Sequence, residues 1–355
     1  MKIKEENGLY FFTTKEISIN TTIIHSRFGH LSRPQIKKLN NIIKDSGTRI
    51  PSQQKIECTI CPVSNFKKRT NNKQRKTIKT NNFLQIIHMD LWKAPEISYA
   101  GYKYISTYTD DFSRFSIIMF MKRKSEQIQK FIEYKNLVEN FHNIKIKSLQ
   151  MDNGGEYISK EFVNFCTSSG ITLSYSPPAI PELNGTAERL NQTLSTKARA
   201  FKEESGIPWK YWVEIFTHAN LIKNISPTEK LETSPYKLWF KKHPNYSIIR
   251  KFGCYCIARE IRIKNKFSKQ GFHGILLGNN PELTAYIILD YSTNKLYTRK
   301  DVVFDETIFP FIDNKNIQQL NNHVIGNNNT TTFTKSINNY QQIENNNEIR
   351  SQIKK

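Results

Sequence analysis

Cysteine is scarce in this chain, with only five in 355 residues, at positions 58, 61, 166, 254 and 256. An odd number without a regular ladder of spacings excludes a small disulfide-stapled scaffold and points to a reducing compartment. Long apolar runs are also missing. None reaches the roughly 18 residues a membrane span needs, and residues 1–8 are too polar for a secretory signal. A soluble chain with no membrane partner is expected. Acid is in short supply as well, with 31 Asp and Glu against 53 Lys and Arg, a formal charge of +22. That imbalance points to a polyanionic partner, for which nucleic acid is the economical choice. Asn, Ile and Lys are abundant throughout, as a biased genome would also produce, and carry little weight.

The informative acids lie on three separate stretches. The apolar run Ile146–Met151 stops at Asp152-Asn153-Gly154, which reads as a buried strand ending in a turn with its carboxylate exposed. Leu183, Ala187, Leu190 and Leu194 recur at helical spacing, which leaves Glu188 on a neighbouring face with Gln192 and Ser195. Ile86–Trp92 is another short apolar strand whose one carboxylate is Asp90. Three acids gathered by a fold suit phosphoryl transfer with two hard cations roughly 3.5–4 Å apart. Mg²⁺ asks for carboxylate oxygen and water rather than imidazole or thiolate. Taken singly, Asp152 could be a turn residue and Glu188 a solvated one. Glu156, four residues past Asp152, competes for the third place but falls in the turn before the next helix.

A second constellation lies upstream. His25 and His30 are separated by four residues, then 27 residues lead to Cys58-Thr-Ile-Cys61. Two His and two Cys with such pair spacings form a tetrahedral Zn²⁺ set, structural because four protein ligands leave no open position. Either half alone would be weak, since a lone His is more often packed and Cys-x2-Cys can be a redox pair.

These words have a family likeness. The 35 residues between Asp152 and Glu188, the HHCC set, and the stretches MDNGGEY, ELNGTAERLNQT, KFGCYC, GILLGNN and DVVFDE resemble copia-type retrotransposon integrases of the retroviral integrase superfamily, from about His25 to Glu306. The chain departs from the pattern at Ile24, where relatives often carry Trp, and at Asn65-Phe66, where Gly-Lys commonly follows; neither is a ligand.

The expected fold class is α/β: a ribonuclease H-like core, preceded by a helical HHCC zinc domain and followed by a small β-rich domain. Residues 1–66 form the first domain, with short strands at Leu9–Thr14 and Glu16–Ile19 and a helical pattern Ile36, Leu39, Ile42, Ile43. Residues 67–82 form a basic linker in which Lys67, Lys68, Arg69, Lys73, Arg75, Lys76 and Lys79 meet no acid. Lying along a phosphate backbone and being merely solvated are equally good readings of it. The core spans residues 83–245: strands Tyr102–Tyr108 and Phe115–Met121, a helix over 125–141, the Asp152 strand, a helix over 160–168, a strand over Ile171–Tyr175 and the Glu188 helix. Asp110 and Asp111 are read as structural support beside the site. Trp212, Val213, Phe216, Ala219 and Ile222 form a core helix face, and a short helix begins at Ser234-Pro235. Residues 246–310 read as five short strands, with Cys254 and Cys256 buried on one strand face and a basic surface of Arg259, Arg262, Lys264, Lys266 and Lys269. Residues 311–355 are Asn-rich and expected to be disordered.

The resemblance implies an enzyme that trims a 3′ end of element DNA and joins the freed hydroxyl to target DNA. Asp90, Asp152 and Glu188 would hold two Mg²⁺ or Mn²⁺ ions, and one structural Zn²⁺ would sit on His25, His30, Cys58 and Cys61. Asn184, Arg189 and Gln192, beside Glu188, are candidates for holding a DNA end, with Lys67, Lys68 and Arg69 as further contacts. Implied partners are the element's ends, target DNA, further copies of the chain and other products of a Pol polyprotein. The implied location is the nucleus, after synthesis and particle assembly in the cytoplasm. The rivals are a catalytically inactive or domesticated DNA-binding remnant and a ribonuclease H-type nuclease. Intact acids weigh against the first, and the HHCC set and the 35-residue spacing against the second.

Overall fold

The computed structural model describes residues 2–6, 9–13, 21–43, 58–64, 80–176, 185–228, 231, 233–261 and 267–313. The stretch expected as a strand at Glu16–Ile19, residues 67–79 of the basic linker and residues 314–355 of the Asn-rich tail lie outside them.

A five-stranded mixed sheet occupies the centre, made of β3 (Ile86–Lys93), β4 (Tyr104–Asp110), β5 (Ser116–Met121), β6 (Ser148–Met151) and β7 (Thr172–Tyr175) in the order β5-β4-β3-β6-β7. The first three pair antiparallel and the last two add in parallel. Strand periodicity divides the sheet between two cores. Ile87 and Met89 of β3, with Leu149 and Met151 of β6, enter a cluster with Tyr108, Phe131, Tyr134 and Phe162. Phe131 and Tyr134 belong to α4 (Gln127–His142) and Phe162 to α5 (Lys160–Ser168). The alternate positions His88, Asp90 and Trp92 are offset by one residue and so face the other way, where Trp92 meets Phe216 with ring centres 4.9 Å apart.

That second face is covered by α6 (Gly185–Ser205) and α7 (Trp212–Ile225). Local chemistry sets several helix ends. Ser159 caps α5 by accepting from the Phe162 amide, and Ser234 does the same for α8 (Pro235–Phe240), where Pro235 takes the first turn. Asn143 closes α4 in the left-handed conformation. The helix that carries Trp212 and Phe216 is preceded by a 3-10 turn, Trp209–Tyr211, entered from extended Pro208, and is α-helical from Trp212.

Upstream lie the hairpin β1 (Lys2–Glu6) and β2 (Leu9–Thr13), and the short helices α1 (Thr21–Arg27), α2 (Arg33–Ile43) and α3 (Ile60–Ser64). β1 is missing from the sequence reading, because its KIKEE carries one apolar residue among charges. Downstream, β8 (Tyr255–Arg259), β9 (Gly271–Asn279), β10 (Tyr286–Asp290), β11 (Leu296–Arg299) and β12 (Val302–Asp305) form an antiparallel sheet in the order β11-β10-β9-β8-β12. All five were expected. Cys254 and Cys256 are fully buried, as their alternation implies.

The three segments expected as separate domains share one apolar cluster. Ile24, Phe28 and Leu39 of the N-terminal helices, Leu194 and Phe201 of α6, Trp212 and Phe216 of α7, and Ile275 and Ile288 of the C-terminal sheet all belong to it. Gly253 shows how closely they meet. It has φ +82°, and a β-carbon there would lie 2.2 Å from the Ser205 side chain at the end of α6.

Candidate active site

Parallel pairing of β3 with β6 matches Ile86 to Ser148, Ile87 to Leu149 and His88 to Gln150. Two residues further along both strands come Asp90 and Asp152, level with each other where β6 has ended and its turn begins. Asp152 is exposed and accepts a hydrogen bond from the Gly154 amide at 3.0 Å, an Asx turn that holds its carboxylate at the strand end. Asn153 ties the same turn to the Ser176 carbonyl. α6 crosses β3, and Asn191 donates to the Asp90 carboxylate. Glu188 lies one turn before Asn191 on the exposed side of the helix.

The electrostatics report this convergence. The Asp90 carboxyl is pushed up to about 6, first by burial and next by the negative charge of Asp152, with Glu188 adding to it; the Asn191 hydrogen bond works in the opposite direction. Asp90 therefore feels both other acids. The three do not close on a common point. Among the described residues, the only group of three or more His, Cys, Asp or Glu side chains close enough to share an ion is the upstream one. Asp90 turns to Asn191, Asp152 to the Gly154 amide, and Glu188 to solvent. Glu156, the competitor for third acid, instead reaches Lys124 at 3.8 Å.

Around the acids stands a polar scaffold. Asp110 is buried and accepts from the Leu84 amide, the Ser113 amide and the Ser113 hydroxyl. Burial would raise the Asp111 carboxyl, but His88, Arg114 and Thr80 outweigh it and hold it at about 2. Both behave as the supports expected of them. Arg114 reaches on from Asp111 (3.0 Å) to the Thr186 hydroxyl (3.3 Å), where exposed Arg189 also points, at 3.4 Å. Gln192 is exposed one turn past Glu188. Asn184, Lys67, Lys68 and Arg69 lie outside the described residues, as do Arg262, Lys264 and Lys266. Of the C-terminal basic surface, Arg259 and Lys269 are exposed, and Arg259 pairs with Asp301 at 3.4 Å.

Asn191 and Arg114 were missed as site residues. The spacing of Asn191, three after Glu188 on the same helix, was the available signal. Arg114 had none, because its role depends on the end of α6 arriving beside it.

The HHCC residues do assemble. Their ligand atoms all lie within 4.8 Å of one another. His25 Nε2 and His30 Nδ1 are 3.1 Å apart, Cys61 Sγ is 3.2 Å from His25 Nε2 and 3.7 Å from His30 Nδ1, and Cys58 Sγ is 3.3 Å from His30 Nδ1. Tetrahedral Zn²⁺ with N and S ligands needs edges of roughly 3.3–3.8 Å, so these atoms fit it with small adjustments. His25 Nδ1 faces the Leu31 carbonyl at 2.8 Å, leaving Nε2 for an ion. Burial lowers the His25 pKa, keeping it in the neutral form a ligand requires. Burial and the adjacent Cys58 push the Cys61 thiol up to about 12, a cost that a cation between the sulfurs would reverse.

Comparison with known proteins agrees on the core. Residues 81–181 match the integrase core domain family, a span that includes Asp90 and Asp152 and stops before Glu188, and residues 254–317 match the retroviral polymerase SH3-like domain family. The chain is 31% identical over 295 residues to the retrovirus-related Pol polyprotein from transposon RE2 of Arabidopsis thaliana, covering 81% of this chain and 20% of that protein. It is also 31% identical over 298 residues to the Pol polyprotein from transposon TNT 1-94 of Nicotiana tabacum, covering 82% of this chain and 22% of that one. The chain thus spans about a fifth of the length of these relatives. Among solved structures, the simian T-cell lymphotropic virus intasome aligns at 18% identity and TM-score 0.39, over 71% of this chain and 88% of that one. The HTLV-2 integrase catalytic core domain in complex with magnesium aligns at 21% and 0.34, over 43% and 95%.

Proposed function

Because this chain carries an integrase core domain followed by a retroviral polymerase SH3-like domain and belongs with the copia-type Pol polyproteins, we propose that it is the polypeptide that joins element DNA to target DNA. Two transfers make up the reaction. Water attacks a phosphodiester near the element's 3′ end and releases a short fragment; the exposed 3′-hydroxyl then attacks a target phosphodiester, one P–O bond forming as another breaks. Asp90, Asp152 and Glu188 supply the oxygen ligands for divalent cations, Mg²⁺ or Mn²⁺, and a bound pair would activate the attacking oxygen and stabilise the leaving one. Hard carboxylate donors without sulfur or imidazole suit these ions. Asn191 orients Asp90, while Arg114 and Arg189 offer guanidinium groups for a phosphate at the start of α6.

The observation that carries this reading is the register of β3 against β6, which levels Asp90 with Asp152 beneath the helix bearing Glu188 and Asn191. His25, His30, Cys58 and Cys61 hold a structural Zn²⁺ that organises α1 to α3. The working form binds two DNA ends as a multimer of this chain and acts in the nucleus.

The test is strand transfer of a labelled element-end oligonucleotide into plasmid DNA with Mg²⁺ or Mn²⁺, comparing the chain with its Asp152→Asn variant. Metal-dependent joining that falls to background in the variant is expected. If neither protein joins DNA although both bind it and keep zinc, the chain is a DNA-binding remnant without chemistry.

A further inference from the structure

The last turn of α6 holds a carboxylate that the chemistry above does not use. Glu204 is largely buried, its side chain 15% exposed. It also sits at the helix's negative end, an unfavourable place for an acid. Such a group needs compensation, and it comes from the N-terminal helices. Ser26 Oγ donates to Glu204 Oε1 at 2.5 Å, and His30 Nε2 lies 3.4 Å from Oε2. The second contact falls short of a well-aligned hydrogen bond, and neither atom of that pair has another partner among the described residues. His30 faces the Cys pair through Nδ1, so Nε2 is the nitrogen left over. A ligand imidazole that passes its second nitrogen to a carboxylate is the usual outer-sphere arrangement around zinc.

The rest of the helix supports the same docking. Lys197 Nζ is buried and donates to the Phe28 carbonyl at 2.9 Å and the Gly29 carbonyl at 3.3 Å, just before His30. Arg199 reaches the Ser64 carbonyl, three residues past Cys61, from Nε at 3.4 Å and Nη2 at 3.3 Å. Gly29, with φ +62°, has room for no side chain, since a β-carbon would lie 2.9 Å from Phe201. Lys197 and Arg199 thus hold the backbone on both sides of the ligand set, Phe201 packs beside Gly29, and Glu204 meets the Ser26 and His30 side chains.

We propose that Glu204 is the outer-sphere carboxylate of the zinc centre, so that the metal clamps α6, whose opposite end presents Glu188 and Asn191. The inference rests on the zinc reading of the four-residue cluster. The sixteen helical steps from Glu188 to Glu204 span roughly 24 Å, so Glu204 acts as a positioning residue.

The experiment is competition for Zn²⁺ between the full chain and a chromophoric chelator, run on wild type, Glu204→Ala, Glu204→Gln, Cys58→Ser and the neighbouring surface variant Glu203→Ala. Expected are one Zn²⁺ per wild-type chain, affinity weakened about 10–100-fold in Glu204→Ala, an intermediate loss in Glu204→Gln, which keeps an acceptor for His30, and no change in Glu203→Ala. Hydrogen exchange on the wild type should show the amides of residues 197–205 losing protection when zinc is removed. If Glu204→Ala holds zinc as tightly as wild type, or α6 exchange ignores the metal, the clamp is overturned and the zinc site stands. If wild type holds no stoichiometric zinc, or Cys58→Ser holds as much, both readings fall. Glu204→Gln guards against misfolding: a loss in Glu204→Ala that glutamine does not partly restore, with an unchanged melting temperature in excess zinc, also counts against the assignment.

Discussion

Asp90 owes its behaviour to its neighbours rather than to its own chemistry. Burial and the charges of Asp152 and Glu188 raise its carboxyl to about 6, and the amide of Asn191 is the side chain that pulls it back. Protons compete with a cation for this carboxylate, so metal-dependent joining should weaken on the acid side. In Asn191→Ala the counterweight is gone and the folded-state pKa rises further. The acidic limb of the rate profile should therefore move to higher pH, and metal-dependent activity at neutral pH should drop about 10–100-fold, as for other partners that orient a metal ligand. A limb that stays in place would remove Asn191 from the site. The sequence offered Asp90, Asp152 and Glu188 through their strand ends and helix face. It hinted at Asn191 only through its spacing three after Glu188 and gave no sign of Arg114, because each meets its partner only when α6 lands on β3 and on the turn after β4.

At the scale of elements, α6 does the joining. One stripe of it, Leu190, Leu194, Ala198 and Phe201, is buried, and Phe201 meets Phe252, His218 and the backbone at Gly29. Phe201→Ala should cost about 3–5 kcal/mol in urea unfolding with zinc present, far more than the ~1 kcal/mol expected of Ser159→Ala, which removes only a helix cap. Equal costs would mean that α6 is not the shared wall of the core. Elements with strong local signals were legible: α5 runs over Lys160–Ser168 as expected, and of the five expected C-terminal strands β8, β11 and β12 alternate in burial. β1 was not, since a single isoleucine among charges gives no periodicity and the strand exists by pairing with β2.

For the whole molecule, charge dominates. With a formal +22, binding to duplex DNA should be mostly counterion release, the affinity falling steeply between 50 and 200 mM salt. Replacing Lys67, Lys68 and Arg69 with Ala should flatten the slope of log affinity against log salt by about 0.9 for each phosphate contact removed. Fluorescence anisotropy across a salt series measures this, and an unchanged slope would leave the linker a solvated tether. The composition, the candidate acids Asp90, Asp152 and Glu188, the HHCC spacing and nearly every core strand and helix were legible in the sequence itself, because residue spacing and hydrophobic period are local properties of the chain. What only the tertiary structure decided is which of these parts touch. The N-terminal helices, α6 and the C-terminal sheet share one apolar cluster, and Glu204 meets His30 across 174 positions of sequence. Contacts at that separation arise from packing complementary surfaces, which no local pattern encodes.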